Sequence, residues 1–242
     1  MRILLSIVFW IITALTTLIA FLIVFFLGVF FSPFFDSKRK LAHAQGFWWS
    51  DVIIGVNPFW KFYIQGLEHI DPKKTYVIVA NHQSLADIVL LYKTHMQFKW
   101  VAKGSLFKIP VFGWCMSWMR HIKLVRGQYG SIRDVYRQAA YWLREGISVF
   151  FFPEGTRSHS AQMNDFKNGA FKLAIKEKKP ILPIRIEGSW DIIPRGSWIF
   201  KTRAFCRVTV LPAIDTSAYQ PKDFILLRDK VWEILATIPN KQ

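Results

Sequence analysis

Tyr76-Val77-Ile78-Val79-Ala80-Asn81-His82-Gln83-Ser84-Leu85-Ala86-Asp87 decides how this chain is read. Tyr76–Ala80 is a short uncharged run, the pattern of a strand buried on both faces. Asn81 to Ser84 interrupt it with polar side chains, and helical spacing resumes over Leu85–Lys93, with Ser84 placed to cap that helix. A strand passing through a polar loop into a helix is the repeating unit of α/β folds. The carboxyl end of such a strand is where open α/β sheets gather their functional side chains.

Working outward, further short β-rich runs alternate with longer helical ones. The spacing predicts strands over Phe62–Gln65, Lys99–Ala102, Ile122–Val125, Val149–Phe152, Ile181–Ile186 and Arg207–Leu211. Helices are expected over Ser131–Arg144, Ala170–Glu177 and Lys222–Thr237. The expectation is a single α/β domain over 61–242, with a largely buried mixed sheet flanked by helices. Residues 37–60 read as an amphipathic linker rich in Trp and Phe, punctuated by Pro58. Leu106–Met119, with only Lys108 charged, fits a core helix as well as an acyl-chain groove or a membrane-facing element.

Residues 1–36 read as a hydrophobic membrane-binding helical segment. Ile3 to Phe35 carries no charged residue. One helix of that length would run about 50 Å at 1.5 Å per residue, beyond the roughly 30 Å hydrocarbon core of a bilayer. Either a tilted span or two helices bent near Gly28 or Thr13–Thr17 satisfies this, the second lying in one leaflet. The run is too long for a signal-peptide core. Ser37-Lys38-Arg39-Lys40 follows it, which by the positive-inside tendency places the body at the cytoplasmic face of the inner or plasma membrane.

Composition narrows the partners. Lys and Arg total 32 against 16 Asp and Glu, a formal charge of +16, so a negatively charged partner is expected. Hydrophobic residues make up 52% and aromatics 17% of the chain, which favours an anionic bilayer and phosphorylated lipids over nucleic acid. Cys115 and Cys206 form no metal-binding spacing, and no metal is expected.

Two constellations carry chemistry. A His and an Asp five residues apart would point about 140° apart on one helix. His82 and Asp87 therefore meet only if His82 lies in the loop and Asp87 in the first helical turn. Asp87 could then fix the imidazole tautomer and leave the other ring nitrogen to accept a proton. The competing reading is a capping box in which Asp87 only returns a hydrogen bond to Ser84. The second constellation, Phe152-Pro153-Glu154-Gly155-Thr156-Arg157-Ser158, follows a buried strand. Gly155 permits close backbone approach, Arg157 offers a fork suited to phosphate, and Glu154 could hold that Arg or a neighbouring loop.

Asn-His-x-x-x-x-Asp followed by Phe-Pro-Glu-Gly-Thr-Arg-Ser resembles the glycerolipid acyltransferases, especially the 1-acylglycerol-3-phosphate acyltransferases. The resemblance spans Tyr63 to Leu211, through Val101-Ala102-Lys103-Gly104, His121–Arg126, Phe166–Ala170 and Ile181–Ile184. It implies His82 as general base and Asp87 as its partner. It further implies Arg126, Glu154, Gly155, Thr156 and Arg157, with Lys103, at the phosphoglycerol acceptor. The chain has Val125 where the second motif often has Asp or Asn before its Arg. The implied reaction moves an acyl group from an acyl carrier protein or coenzyme A thioester, a co-substrate, to lysophosphatidic acid, with no cofactor. Another lysophospholipid or glycerol 3-phosphate is the alternative acceptor, and a non-catalytic adaptor on anionic lipid the alternative of another class. A serine hydrolase is disfavoured because the chain has no G-x-S-x-G elbow.

Overall fold

The computed structural model of the protein describes residues 2–56, 59–158, 162–192 and 198–237, so Pro58 lies outside the described residues. The strands are β1 (Trp60–Gln65), β2 (Val77–Ala80), β3 (Phe98–Lys103), β4 (Ile122–Leu124), β5 (Ser148–Phe151), β6 (Ile181–Glu187) and β7 (Ala204–Val210). Among the described residues they form one sheet in the order β1-β7-β6-β2-β5-β3-β4. β6, β2, β5, β3 and β4 are mutually parallel, while β7 is antiparallel to β6 and carries β1 parallel to itself. The sheet is thus mixed and sits inside an α/β fold, and each expected strand is present with its ends slightly shifted.

Alternation along β2 shows how the two faces are filled. Ile78 and Ala80 point into one core with Phe98, Trp100, Phe150, Leu182 and Ile184. Val77 and Val79 point into the other with Val149 and Ile181. The first face is covered by α3 (Lys40–Gly55) and α4 (Ala86–Tyr92), through Ile53, Leu90 and Leu91. The second is covered by α6 (Tyr129–Arg144), α7 (Gly169–Glu177) and α8 (Phe224–Ala236), through Leu143, Phe171 and Val231. Each such side chain contributes roughly 1.5–3 kcal/mol on burial.

The N-terminal segment runs as α1 (Arg2–Phe26), a π-helical turn over Leu27–Phe31 and α2 (Ser32–Phe35). Gly28, named from the sequence as a bend point, lies in that widened turn. A Cβ there would come within 2.8 Å of Trp118 Cβ, so only glycine lets the helix approach so closely. The chain then reverses, and the stretch read as a linker is largely the helix α3. Asp36 explains its start: its carboxylate accepts the N–H groups of Lys40 (2.9 Å) and Leu41 (2.8 Å). α1 and α3 form a hairpin tied by Trp49 Nε1 donating to Thr17 Oγ1 (3.0 Å) and Arg39 Nη1 donating to Gly28 O (3.1 Å). α1 also touches the body near its start, where Phe9 packs on Phe200 (4.2 Å between ring centroids) and Trp60 (5.0 Å). α5 (Phe112–Trp118) buries Gly113 and Met116 and lays Trp118 against Phe25 (5.3 Å).

The elbow of the hairpin is clasped to the sheet by a buried lysine. Lys99 Nζ donates to Lys38 O (2.8 Å) and Met119 O (2.7 Å) and lies 4.6 Å from the centre of the Trp142 ring. Burial pushes its pKa down from 10.5 to about 7, opposed by Asp36 and assisted by Arg120 and Arg39. Below about pH 7 both folded and unfolded states hold this proton, and the folded state bears the full cost of a buried charge. Between about 7 and 10.5 only the unfolded state holds it, so stability rises with pH. The expected result is an unfolding midpoint that climbs between pH 7 and 10 more steeply in the wild type than in Lys99→Met. Parallel pH profiles for the two proteins would refute the assignment.

Candidate active site

At the carboxyl edge of the parallel strands, Asn81 finishes β2 by completing its neighbour's hydrogen bonding. Its Nδ2 donates to Ile186 O (2.8 Å), and its Oδ1 accepts the Ile186 N–H (2.7 Å). The side chain does the work of one more peptide unit of β2 and frees the backbone to turn. His82 therefore stands in the loop two residues past the strand end.

Asp87 sits in the first turn of α4 and is fully buried. One of its oxygens, Oδ2, accepts three hydrogen bonds: from Gln83 N (2.7 Å), Ser84 N (2.9 Å) and His82 Nδ1 (2.7 Å). The bond to Ser84 N–H weighed as capping and the catalytic bond to His82 are both present on this one atom, but Leu85 and not Ser84 stands at the cap position and no side chain caps the helix. Ser84 contributes a long contact, its Oγ accepting Ala86 N at 3.3 Å. Because a carboxylate only accepts, the bond fixes the proton on Nδ1 and leaves Nε2 with its lone pair. The ring is held flat by Phe152, stacked at 3.9 Å between centroids and 16° between planes. A base with its tautomer and orientation set in this way is suited to taking a proton from a hydroxyl.

Glu154, at the end of β5, is buried and bridges two loops. Its Oε1 accepts His82 N–H (2.7 Å), and its Oε2 accepts Asn164 N–H (3.0 Å). Burial raises its pKa, and the two backbone donors together with the neighbouring His82 oppose the rise. Each oxygen accepts a backbone N–H, one from the loop after β2 and one from the loop before α7, so Glu154 ties these loops together. Ser158 N–H donates to His82 O (2.8 Å), adding a second tie between the two motifs.

Gly155 adopts φ +73°, and a Cβ there would fall 3.0 Å from Lys167 Cε. Its N–H donates to Phe152 O (3.0 Å). The N–H groups of His82, Gln83, Ser84 and Gly155 are thus all engaged, and none of these four is left to meet a developing oxyanion.

Thr156 and Arg157 are exposed at the tip of this loop, Lys103 at the end of β3, and Arg126 just past β4. The sheet order places these positions on successive strand ends beside His82: β2, β5, β3, β4. At about 4.8 Å per strand, the β4 end lies roughly 14 Å from that of β2. Among the described residues Lys103, Arg126 and Arg157 form no ion pair, so their charge faces outward. His82, Asp87 and Glu154 are joined by direct hydrogen bonds, whereas the three cations stand at or just past the ends of neighbouring strands.

The sequence of residues 61–187 matches the model of the Acyltransferase family. This chain belongs to that family. It is 40% identical over 161 residues to the chloroplastic 1-acyl-sn-glycerol-3-phosphate acyltransferase BAT2 of Brassica napus, covering 66% of this chain and 46% of that one. It is 30% identical over 176 residues to the 1-acyl-sn-glycerol-3-phosphate acyltransferase of Pseudomonas aeruginosa, covering 72% and 66%. The crystal structure of the LPA acyltransferase PlsC from Thermotoga maritima superposes with a TM-score of 0.79 at 26% identity, covering 97% of this chain and 94% of that chain. The chain spans about half the length of the plant and algal relatives it matches.

Several contacts at the site carried no signal in the sequence reading. Phe152 and Asn81 both stand in the two motifs, but the stacking of Phe152 on His82 and the bonding of Asn81 to Ile186 were not read from them. Lys167 lies beside Gly155 through a contact between loops that spacing does not reveal. Arg185 and Glu187 are buried on β6, where Arg207 Nη1 lies 3.9 Å from Glu187 Oε2. Burial raises the Glu187 pKa, and the two arginines pull it back. Charged residues inside a run read as a buried strand were the available clue.

Proposed function

We propose that this family member transfers a fatty acyl group from an acyl thioester to the free hydroxyl of lysophosphatidic acid, giving phosphatidic acid. The observation that carries the reading is the His82–Asp87 pair, with Nε2 free, at the head of a row of strand ends bearing Arg157, Lys103 and Arg126. The names of relatives as acyltransferases acting on 1-acylglycerol 3-phosphate support the same acceptor.

In this mechanism His82 Nε2 takes the proton of the glycerol hydroxyl as its oxygen attacks the thioester carbonyl. The tetrahedral intermediate then collapses, the carbon–sulfur bond breaks, and the proton held on the imidazolium passes to the leaving thiolate. Asp87 holds the ring in the Nδ1–H tautomer and stabilises the transient imidazolium. Arg157, Lys103 and Arg126 grip the acceptor phosphate, which lowers the entropic cost of aligning hydroxyl, base and thioester. Glu154 acts as a positioning residue, and Gly155 and Thr156 shape the loop that presents Arg157.

The same reading gives the N-terminus a place. The N-terminal segment touches the body at Ser6 and Phe9 of α1 and again at Gly28 of the π-helical turn, so it lies along the domain rather than leaving it. Its outer side exposes Leu4, Leu15, Leu18 and Leu22, and Phe34 and Phe35 are 78% and 77% exposed. Ile109 and Trp114 near α5 continue this apolar surface. The hairpin and α5 enter one leaflet from the cytoplasmic side, bringing the catalytic edge to lipids that arrive laterally.

Acyl transfer from a thioester to lysophosphatidic acid in mild detergent is expected for the wild type. Folded His82→Ala should lose roughly 10²- to 10⁴-fold in kcat. Arg157→Ala should raise KM for the phosphate-bearing acceptor by roughly ten- to a hundredfold, the value of a hydrogen bond to a charged group, and change a monoacylglycerol acceptor little. Full activity in His82→Ala would sink the base assignment, and equal losses on both acceptors the phosphate grip. For topology, cysteines placed at Arg2 and Ser37 should both label from the cytoplasmic side of inverted vesicles and of no others. Labelling of the two from opposite sides would establish a span instead.

A further inference from the structure

The carboxyl end of β6 holds charges that the mechanism above does not use. Ile184 and Ile186 point into the core beneath α3 and α4, so by alternation Arg185 and Glu187 point to the other face of the sheet. Both are 4% exposed, as is Glu154. Arg207 on the neighbouring β7 closes the row, with Nη1 3.9 Å from Glu187 Oε2 and its side chain 22% exposed. Charged side chains this deeply buried are rare unless they answer one another. Register brings them to the base. Ile184 stands opposite Ala80, the last residue of β2, and Ile186 exchanges two hydrogen bonds with the Asn81 side chain. Arg185 is therefore level with the residue before His82, while Glu154 follows β5 on the other side of β2.

The groups around Glu154 differ in how much of their charge it feels. Burial favours its neutral form, and His82, in the loop after β2, opposes this with its N–H and its ring. Asp87 on α4 is committed to His82. Arg157, on the Glu154 loop, is exposed; Lys167, from the loop before α7, is exposed beside Gly155. Water screens both of these cations. Arg185 is the buried one. Burial lowers its pKa, and Glu187 and then Glu154 raise it, so the guanidinium stands between two carboxylates. Glu187 competes for it and is itself faced by Arg207. An arginine keeps its charge across the working pH range. Without that charge, a buried carboxylate tends to take up a proton instead. Protonation would turn one Glu154 oxygen into a donor facing a donor N–H, and one of its two ties would weaken.

We propose that Arg185 is a positioning residue for His82, whose buried positive charge sustains the Glu154 carboxylate and so keeps the loop of the base tied in place. Its effect on rate rests on the acyl-transfer reading, whereas its effect on Glu154 is independent of turnover. Arg185 acts through Glu154 and not on the substrate. The sign follows from the charges. At alkaline pH Glu154 is ionised with or without Arg185, and both of its ties are made. As pH falls, Glu154 takes its proton at a higher pH when Arg185 is gone, so the loss belongs to the acid side alone.

The test titrates Glu154 by carbon NMR of protein labelled at the glutamate carboxyl in detergent micelles, its signal assigned by difference from Glu154→Gln. Arg185→Met/Glu187→Gln removes an opposite pair of charges together. Its Glu154 midpoint should rise by about one pH unit or more. Glu187→Gln alone frees Arg185 for Glu154 and should lower the midpoint, which tests the same charge in a protein that keeps its arginine. Arg185→Lys should stay close to the wild type. With lysophosphatidic acid as acceptor, kcat of Arg185→Met/Glu187→Gln should match the wild type at about pH 9 and fall behind by about tenfold at about pH 6, the worth of one hydrogen bond to a charged group. In a Glu154→Gln background the same two changes should cost nothing further. A Glu154 midpoint moved by neither variant would overturn the proposal, and so would a rate loss equal at every pH. A rise in KM for the phosphate-bearing acceptor with kcat unchanged would also overturn it, by placing Arg185 in the phosphate grip. Shifted midpoints in a protein that turns over no thioester would defeat the acyl-transfer reading and leave the hold of Arg185 on Glu154 standing.

Discussion

One oxygen, Asp87 Oδ2, holds the catalytic end of this molecule together. It accepts the N–H groups of Gln83 and Ser84 and the Nδ1–H of His82 within 2.9 Å. The first two bonds shape the turn from β2 into α4, and the third aims the imidazole. Since Asp87 is fully buried, its charge is stabilised only by these donors and the surrounding dipoles, which makes them strong and mutually dependent. The backbone cannot take another path without leaving a buried carboxylate unsatisfied. The loop conformation and the base are therefore one structural feature.

A second carboxylate extends that feature across the sheet. Glu154 reaches from the end of β5 to His82 N–H and onward to Asn164 N–H. It ties the loop carrying the base to the loop carrying Arg157. The parallel order β2-β5-β3-β4 then sets the spacing of Lys103 and Arg126, which no side-chain contact links to the base. The apolar hairpin packs chiefly on the face that α3 and α4 cover, meeting the body at Ser6 and Phe9, while its elbow reaches the end of α6 through Lys38 and Glu145.

The strands and the helices around them were legible because their two periodicities are clean. Val77 and Val79 alternate with Ile78 and Ala80, and α6 repeats its apolar positions at helical spacing. The meeting of His82 and Asp87 was legible too, since five residues force one into the loop and the other into the helix. Other features depend on tertiary contact. The helix α3 was read as a linker because its start is set by Asp36, whose carboxylate caps it from outside the apolar run. The N–H groups of His82, Gln83, Ser84 and Gly155 are engaged with Phe152 O and the two carboxylates. The bonds from Glu154 to the His82 and Asn164 N–H groups join loops 72 and 10 residues apart in the chain. Hydrogen bonds between loops far apart in sequence leave no periodic trace, so these assignments required coordinates.

The central claim is that Asp87 keeps His82 as the Nδ1–H tautomer with a basic Nε2. Nitrogen NMR of isotopically labelled histidine in detergent micelles measures this directly, with the His82 signal among six histidines assigned by difference from His82→Gln. The account predicts a protonated Nδ1 and an unprotonated Nε2 above the titration of the ring, and loss of that preference in Asp87→Asn. A His82 ring protonated on Nε2 with a bare Nδ1 would contradict it.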